Sequence, residues 1–444
     1  MKNLFSTGII IIVFFAIYSF SVQLGSEDAR VNCLKEKAVK IKTTDPSNQD
    51  FSDLEPLKNI IGDSVRVVML GEQTHGDGET FLAKTRMIKF LHEKMGFDII
   101  AFESSIYDLE KTHENITENI NKGRDHTGEL SKAIYSIWSS SNEFQPLLCY
   151  LEEEYKSAHP LHVMGFDNQF YDANTNAEIQ KILKSFLHSL IESNLIKLSE
   201  TQIRDFEYIL FQSQKDIYFK RKNDFDNFAE IVLNERNNPE AQKLLGSKSS
   251  YYFQLFESYY SHLESFYLKY DAPTSIADST FSYRDIQMGK NLLWIVNNNP
   301  GKKIIVWAAT YHIMRNLRSI QYSGIYSEVY KNVTTMGDVV YNGLGNKSYT
   351  IGFTAYQGYW GRFFDDSKIK IPEPDHNSIE NLFYEAGFEN AFIDLRASDN
   401  PKNLWLKETI SARPLGYTEM HADWTQTMDG LVFTKKMTPS TSIK

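Results

Sequence analysis

The sequence predicts an α/β fold: a central, mostly parallel sheet flanked by helices, with a helical insertion. Three observations lead to this prediction. Short apolar runs rich in β-branched residues recur along the chain, the first two enclose a segment of helical periodicity, and a long stretch in the middle is helical in pattern throughout. Buried parallel strands are continuous apolar runs, and strands that alternate with helices indicate a parallel sheet.

The first strand, helix and second strand are predicted between residues 65 and 102. Residues 65–70 form an apolar run of strand length. Apolar residues then recur at mostly three- and four-residue spacing over residues 81–91, and Gly96 is placed to end that helix. The next strand is predicted at residues 98–102.

Later apolar runs extend the same sheet. Further strands are predicted at residues 161–166, 303–307, 349–353, 391–395 and 430–434. Between about residues 176 and 298 the pattern changes to long helices with many Tyr and Phe, which indicates a helical insertion. Because no Pro-, Ser- or Gly-rich linker divides the chain, one composite domain is predicted over residues 61–437. It is preceded by a polar leading segment, residues 22–60, with a short helix near residues 50–61, and followed by a tail, residues 438–444.

The N-terminus has the pattern of a secretory signal peptide over residues 1–21. Lys2 precedes an unbroken apolar run at residues 9–17, and small residues at Ser19 and Ser21 come before a polar stretch. We therefore expect an exported protein, periplasmic or extracellular, without membrane attachment after cleavage. An uncleaved anchor is the alternative, since residues 4–20 approach the length of a membrane span.

Composition excludes several classes of protein. With 444 residues, 42% of them hydrophobic, the chain is long and apolar enough to bury a large core. The 47 Lys and Arg against 57 Asp and Glu give a net charge of −10 without a basic run, which argues against a nucleic-acid partner. Two cysteines, Cys33 and Cys149, are too few for a disulfide framework, and the sequence does not show whether they pair.

Ionisable residues follow several of the predicted strands. Glu72 and His75 follow the first strand, Glu103 the second, Asp167 the strand at 161–166, and His312 the strand at 303–307. Each of them alone could be a helix cap or a surface charge. Because the carboxyl ends of parallel strands meet at one edge of a sheet, their coincidence indicates a functional site there.

Such a set suits hydrolysis by activated water. A histidine, with an ordinary pKa of about 6.5, can take a proton from water at neutral pH. A neighbouring carboxylate fixes its tautomer, and a second carboxylate can orient the water. The sequence therefore predicts catalytic roles for His75, Glu72, Glu103 and His312, with no covalent nucleophile.

An ordered series of motifs resembles the erythromycin esterase family. The motifs are Gly71-Glu72-Gln73-Thr74-His75-Gly76, Lys84, Phe102-Glu103, Gly165-Phe166-Asp167, Arg284-Asp285, Val306-Trp307-Ala308 with His312, and Asp394-Leu395-Arg396. The resemblance extends over about residues 60–435. It implies a hydrolase built on a parallel sheet with a helical subdomain. The best-studied members of the family open the macrolactone ring of macrolide antibiotics.

Residue roles follow from the resemblance. His75 would be the general base, Glu72, Glu79 and Glu103 its partners in the pocket, and His312 a second polarising or proton-handling group. Lys84 stands where the family carries basic residues, and such a cation would face the developing oxyanion. The residues predicted to contact substrate are Glu79, Lys84, Asp167 and Arg284.

One position departs from the family pattern. The family shows Trp-Ala-His-Asn-x-His, whereas this chain has Trp307-Ala308-Ala309-Thr310-Tyr311-His312, so that Ala309 replaces the first histidine. A methyl group cannot donate, accept or bind a metal ion. The reaction class is therefore predicted more firmly than a macrolide substrate.

Three functions remain open from the sequence. The first is an exported ester or lactone hydrolase that acts on a small molecule without metal or other cofactor. The second is a binding protein that keeps the pocket without turnover, and the third is a hydrolase dependent on a divalent metal ion, since the same His and carboxylate set suits one. The sequence does not indicate the oligomeric state.

Overall fold

The structure is a computed structural model that describes residues 27–170, 173–212, 215–271, 277–322, 330–362, 364, 367–396 and 401–443. The predicted signal peptide, residues 1–21, lies outside the described residues. Within the described ranges, no helix combines the length and the apolar character needed to cross a bilayer.

A nine-stranded sheet forms the centre of the fold. The described strands are β1 (Val39–Lys40), β2 (Val67–Leu70), β3 (Ile99–Ser105), β4 (His162–Asp167), β5 (Ile304–Trp307), β6 (Ser348–Gly361), β7 (Lys368–Lys370), β8 (Asn390–Asp394), β9 (Ile410–Ala412), β10 (Met420–Ala422) and β11 (Gly430–Met437). The sheet order is β1-β8-β11-β6-β2-β5-β3-β4, with β7 paired to β6, while β9 and β10 form a separate pair. From β11 to β4 all neighbours are parallel, which confirms the predicted mostly parallel sheet.

Helices cover the sheet and fill the connection between β4 and β5. The described α-helices are α1 (Glu27–Lys37), α2 (Pro56–Ile61), α3 (Gly78–Met95), α4 (Ile106–Asn121), α5 (Glu129–Ala133), α6 (Ser136–Ser139), α7 (Gln145–Glu154), α8 (Ala173–Glu192), α9 (Glu200–Gln212), α10 (Lys215–Asn234), α11 (Pro239–Leu245), α12 (Ser249–Asp271), α13 (Ala277–Asn298), α14 (Thr310–Ile313), α15 (Met336–Leu344) and α16 (Ile379–Glu385). Helices α8 to α13 occupy the predicted insertion. Helix α3 ends at Gly96, whose φ of 68° is the left-handed geometry expected of a helix C-terminus.

Apolar side chains of the central strands are buried on both faces, which explains the unbroken apolar runs. Along β2, Val68 and Leu70 join the core beneath α3 and α7, whereas Val67 and Met69 pack on the opposite face against α13. Each predicted strand overlaps an observed one, but β3, β6 and β11 continue beyond their predicted ends.

Both ends of the described chain belong to the sheet region. The leading segment contributes β1, which pairs antiparallel with β8. The predicted tail is also ordered, since residues 439 and 442 form bridges with residues 77 and 141. Cys33 is buried, Cys149 is exposed, and no disulfide joins them.

A buried ion pair fastens the leading segment to α3. The Arg86 guanidinium, 1% exposed, donates to both carboxylate oxygens of Asp53 at 2.7 and 3.1 Å. It also donates to the carbonyl oxygens of Thr43 at 3.1 Å and Asp50 at 2.6 Å. Helix α3 starts directly after the loop that carries His75. The Arg86–Asp53 pair therefore holds in place the helix to which that loop is joined.

We expect Arg86→Ala to lower the free energy of unfolding by about 3–5 kcal/mol, because it leaves the Asp53 carboxylate buried without a cation. Urea denaturation followed by circular dichroism measures this. Lys42→Ala is the control, since the Lys42–Asp50 pair is separated by 3.4 Å and both side chains are more than half exposed. Equal stability of the Arg86 and Lys42 variants would contradict the assignment.

Candidate active site

The register of four parallel strands brings their carboxyl ends to one level. Leu70 of β2 and Phe102 of β3 are both paired with Trp307 of β5, and Phe102 is also paired with Gly165 of β4. The residues that follow these positions therefore emerge along one edge of the sheet. They are Glu72, Glu103, Asp167 and the segment that leads to His312.

Close backbone approach at the end of β2 requires a glycine. A Cβ on Gly71 would lie 2.4 Å from the hydroxyl of Thr310 at the start of α14. The contact allows the amide of Thr310 to donate to the Glu72 carbonyl at 2.9 Å. The loop after β2 is thereby joined to the loop that carries His312.

Glu72 is the buried anchor of His75. Its side chain is fully buried, and its Oε1 lies 3.1 Å from Nδ1 of His75. The indole of Trp138 on α6 donates to the same oxygen at 2.6 Å. Lys84 donates to Oε2. Within the described part of the chain, Nε2 of His75 makes no hydrogen bond, and 43% of the side chain is exposed.

Lys84 lies beneath the site, not in it. Its side chain is fully buried, and its ammonium is 3.7 Å from the centre of the Trp307 ring. Burial lowers the pKa of Lys84 to about 8, although the carboxylates of Glu72 and Glu103 oppose this shift. Lys84 is therefore mostly charged at pH 7, and it neutralises Glu72. The expected contact of Lys84 with an oxyanion has no support in this geometry.

Arg284 of α13 joins the carboxylates that follow β3 and β4. Its guanidinium donates to both oxygens of Asp167 at 3.1 and 2.7 Å and to Oε1 of Glu103 at 2.8 Å. The Ala309 amide donates to the other Glu103 oxygen at 3.0 Å. Asp167 and Glu103 are almost completely buried, whereas 18% of the Arg284 side chain is exposed.

His312 lies between two carboxylates. Its Nδ1 is 2.9 and 3.0 Å from the oxygens of Asp285, and its Nε2 is 3.1 Å from Oε1 of Glu103. Burial alone would lower the pKa of His312, but Asp285 and Glu103 outweigh it and raise the pKa to about 10. His312 is thus an imidazolium at neutral pH and cannot accept a proton. Its 3.3 Å contact with Nη1 of Arg284 brings two cations together and is not a hydrogen bond.

The pKa values of His75 and Glu103 are coupled to this network. Burial would lower the pKa of His75, but the hydrogen bond and charge of Glu72, followed by the charge of Glu103, raise it above its ordinary value. Burial would raise the pKa of Glu103, but His312 and Arg284 hold it well below its usual range. With neutral His75, four carboxylates face three cations, so a proton on His75 balances the charge of the site.

Seven of the eight predicted site residues lie in two hydrogen-bonded groups, whereas Glu79 lies in neither. One group is centred on Glu72 and the other on Arg284 and Glu103, and the charges of Glu103 and His75 act across the two. Its carboxylate accepts hydrogen bonds from Thr44 and, at 3.0 Å, from Thr438. Glu79 therefore connects the leading segment to the C-terminal residues. The geometry gives no support to the predicted contact of Glu79 with substrate.

Two contributors were not predicted. Asp285 sets the charge of His312, and Trp138 donates to Glu72. Asp285 was visible in the Arg284-Asp285 motif, but a helical position gives no indication of which loop its side chain reaches. Trp138 lies in a four-residue helix 66 residues from Glu72, and no sequence pattern connects the two.

Among the described residues, no three His, Cys, Asp or Glu side chains are arranged to hold a metal ion. In these two groups, the carboxylates of Glu72, Glu103 and Asp167 are already paired with Lys84 or Arg284.

Comparison with known proteins finds relatives that match most of this chain. The chain is 28% identical over 454 residues to the Bacillus subtilis (strain 168) protein named "Putative hydrolase YbfO", and the match covers 98% of this chain and 97% of that protein. It is 23% identical to "Erythromycin esterase type II" of Escherichia coli, over 82% of this chain and 88% of that protein.

A solved structure has the same fold. A mutant of the erythromycin esterase EreC in its open conformation superposes with a TM-score of 0.61 at 16% identity, over 90% of this chain and 98% of that one. The family model for erythromycin esterase matches residues 92–437. That range starts after Glu72 and His75, and so later than the expected residue 60, but it contains Glu103, Arg284 and His312. Because it spans well over half of the chain, this protein belongs to the erythromycin esterase family.

Proposed function

We propose that this protein hydrolyses a carboxylic ester or lactone with water activated by His75. Membership of the erythromycin esterase family supports a hydrolase. The observation that carries the finer proposal is the state of His75, whose Nδ1 is held on the buried Glu72, while Nε2 makes no hydrogen bond among the described residues and 43% of the side chain is exposed.

The proposed proton path uses this asymmetry. Nδ1–H donates to Glu72, which leaves the lone pair on Nε2 to accept a proton from water. The resulting hydroxide attacks the carbonyl carbon, the acyl C–O bond breaks, and the leaving alkoxide takes the proton back from His75. His75 ends neutral, and the products are a carboxylic acid and an alcohol.

Arg284, whose side chain is 18% exposed, is assigned to the negative charge that develops on the carbonyl oxygen, and the buried His312 acts on that charge only at a distance, since both of its ring nitrogens are held by carboxylates. Both are cations at neutral pH, and both are held in place by buried carboxylates. Preorganised positive charge stabilises a tetrahedral intermediate without reorganisation during the reaction. Because His312 is already protonated, its proposed role is electrostatic and the base is His75 alone.

Purified protein should hydrolyse at least one member of a panel of aryl esters, lactones and macrolides. His75→Ala should reduce kcat/KM by about 100-fold or more, because it removes the general base. His188→Ala is the matched control, since His188 is an exposed histidine of α8 paired with Glu207. Full activity of the His75 variant would rule out the mechanism.

The same panel separates the alternatives. Half-buried Ala309 lies at the site, and its side chain offers only a methyl group. The methyl group at this position is the reason to consider a binding protein as the alternative. Ligands that raise the melting temperature without product formation would support that alternative. Loss of activity on treatment with a chelator would instead support a metal-dependent hydrolase.

The acid limb of the pH profile should reflect His75. Since the base must be unprotonated and its pKa is raised, kcat/KM should increase with pH through a midpoint above about 6.5. Glu103→Gln removes one of the charges that raise the pKa of His75, so the midpoint should move to lower pH. A midpoint that stays in place in this variant would show that the two groups are not coupled.

We also propose that the protein is exported after removal of residues 1–21. The support is the apolar run at residues 9–17, flanked by Lys2 and small residues. Mass spectrometry of the protein from cell fractions should find a new N-terminus near residue 22 outside the cytoplasm. Intact Met1 in a membrane fraction would support the anchor instead.

A further inference from the structure

The loop between β2 and α3 contains a carboxylate that is used in an unusual way. Asp77 precedes α3 at the N-cap position, where an Asp side chain ordinarily accepts from an amide of the first helical turn. Asp77 makes no such bond. Its Oδ2 accepts the Thr74 amide at 2.6 Å, and its Oδ1 accepts the hydroxyl of Tyr417 at 2.7 Å. The side chain is completely buried. It therefore closes the short turn that contains His75.

Tyr417 reaches Asp77 from an unfavourable backbone conformation. Its φ of 57° lies in the left-handed region, which residues other than glycine rarely adopt. The preceding Gly416 has a φ of 59°, and its amide donates to the Gln73 carbonyl at 3.0 Å. Tyr417 itself is only 3% exposed. Strain of this kind persists only where surrounding contacts hold it, and it concentrates at functional sites.

The other side of the same turn is fixed by backbone contacts. The Gly76 carbonyl accepts the amides of Gly361 at 2.9 Å and Ser440 at 2.8 Å. A Cβ on Gly76 would lie 1.7 Å from the Gly361 carbonyl oxygen, so only glycine fits. Residues from three distant parts of the chain thus converge on the turn, and the Asp77–Tyr417 bond alone spans 340 residues.

We propose that Asp77 and Tyr417 are a positioning pair that fixes the orientation of the His75 ring on Glu72. Both carboxylate oxygens of Asp77 are occupied by Thr74 and Tyr417, so the pair acts on His75 through the backbone of the turn. Its consequence for catalysis rests on the proposed function, but its effect on the His75 ring does not.

The charge of Asp77 is sensitive to pH. Burial raises the pKa of Asp77 to about 7, although the hydrogen bonds of Tyr417 and Thr74 oppose this and the charge of Glu72 adds to it. Lys84 is the cation whose charge acts on Asp77, and the charges of Arg413 and Glu380 act on Tyr417. Because the pKa is raised on folding, protonated Asp77 favours the folded state, and this contribution is lost as pH rises through about 7.

The test is Tyr417→Phe in the mature protein, which removes one hydroxyl and keeps the ring. Hydrogen exchange of a peptide containing residues 73–77 should become about 10-fold faster or more, because the turn loses a fixed contact. In protein labelled with ¹⁵N-histidine, the Nδ1-protonated tautomer of His75 should lose population. The turnover number should fall by about 10-fold with KM within about twofold, since misorientation affects the reaction more than binding.

Tyr267→Phe is the matched control. Its hydroxyl is also buried and donates at 2.7 Å to the Ile209 carbonyl within the helical insertion, far along the chain from the turn. This variant should lose stability without change in exchange at residues 73–77 or in the His75 spectrum. If the changes at residues 73–77 and in the His75 spectrum came only from a general loss of stability, both variants would show them, and the positioning role would be contradicted.

Asp77 variants provide a second, independent reading. Asp77→Ala removes both contacts, so its effect on exchange and on the His75 spectrum should be larger than that of Tyr417→Phe. Asp77→Asn can still accept from Thr74 and contact Tyr417, so it should keep the His75 spectrum of the wild-type protein. If Tyr417→Phe leaves exchange and the His75 tautomer unchanged, the pair is not a positioning device. If both change but no ester is cleaved by the wild-type protein, the positioning role stands and the proposed function fails.

Discussion

The buried carboxylate of Glu72 is the constraint on which the site depends. A charge at a fully buried position is stable only with an opposite charge and satisfied hydrogen bonds, since the desolvation of an isolated ion costs roughly several kcal/mol. Lys84 supplies the charge, while Trp138 and His75 supply further donors. Because Lys84 and Trp138 hold the Glu72 carboxylate in one orientation, the hydrogen bond to that carboxylate also sets the orientation of the His75 imidazole.

The rest of the site is a chain of alternating charge. Asp167, Arg284, Glu103, His312 and Asp285 follow one another, and each cation contacts two carboxylates. In the proposed mechanism, this alternation gives the two histidines opposite tasks. His312 is locked as a cation by its two neighbours, whereas His75, with one buried carboxylate and an open face, remains able to exchange a proton.

Segments from both ends of the described chain hold this chemistry in place. The leading segment is bound to α3 through Arg86, and residues 439 and 440 pair with the His75 loop. In each case the contact acts on the backbone behind the reactive side chain. Such support is consistent with a site whose precision depends on the whole fold, since small displacements of a catalytic group reduce rates strongly.

The sequence by itself determined seven of the nine strands of the central sheet, all but β1 and β7, and the carboxyl-end residues that gather at its edge. Unbroken apolar runs mark strands buried on both faces, and parallel strands align their ends, so local pattern was enough to assign Glu72, His75, Glu103, Asp167 and His312 to one edge. Only the tertiary structure decided their states and partners. Four features belong to this second group: the burial of Lys84, the contacts of Glu79 outside the site, the ion pair of His312 with Asp285, and the hydrogen bond of Tyr417 to Asp77. All four depend on burial and on distances between side chains far apart in the chain, which local periodicity does not encode.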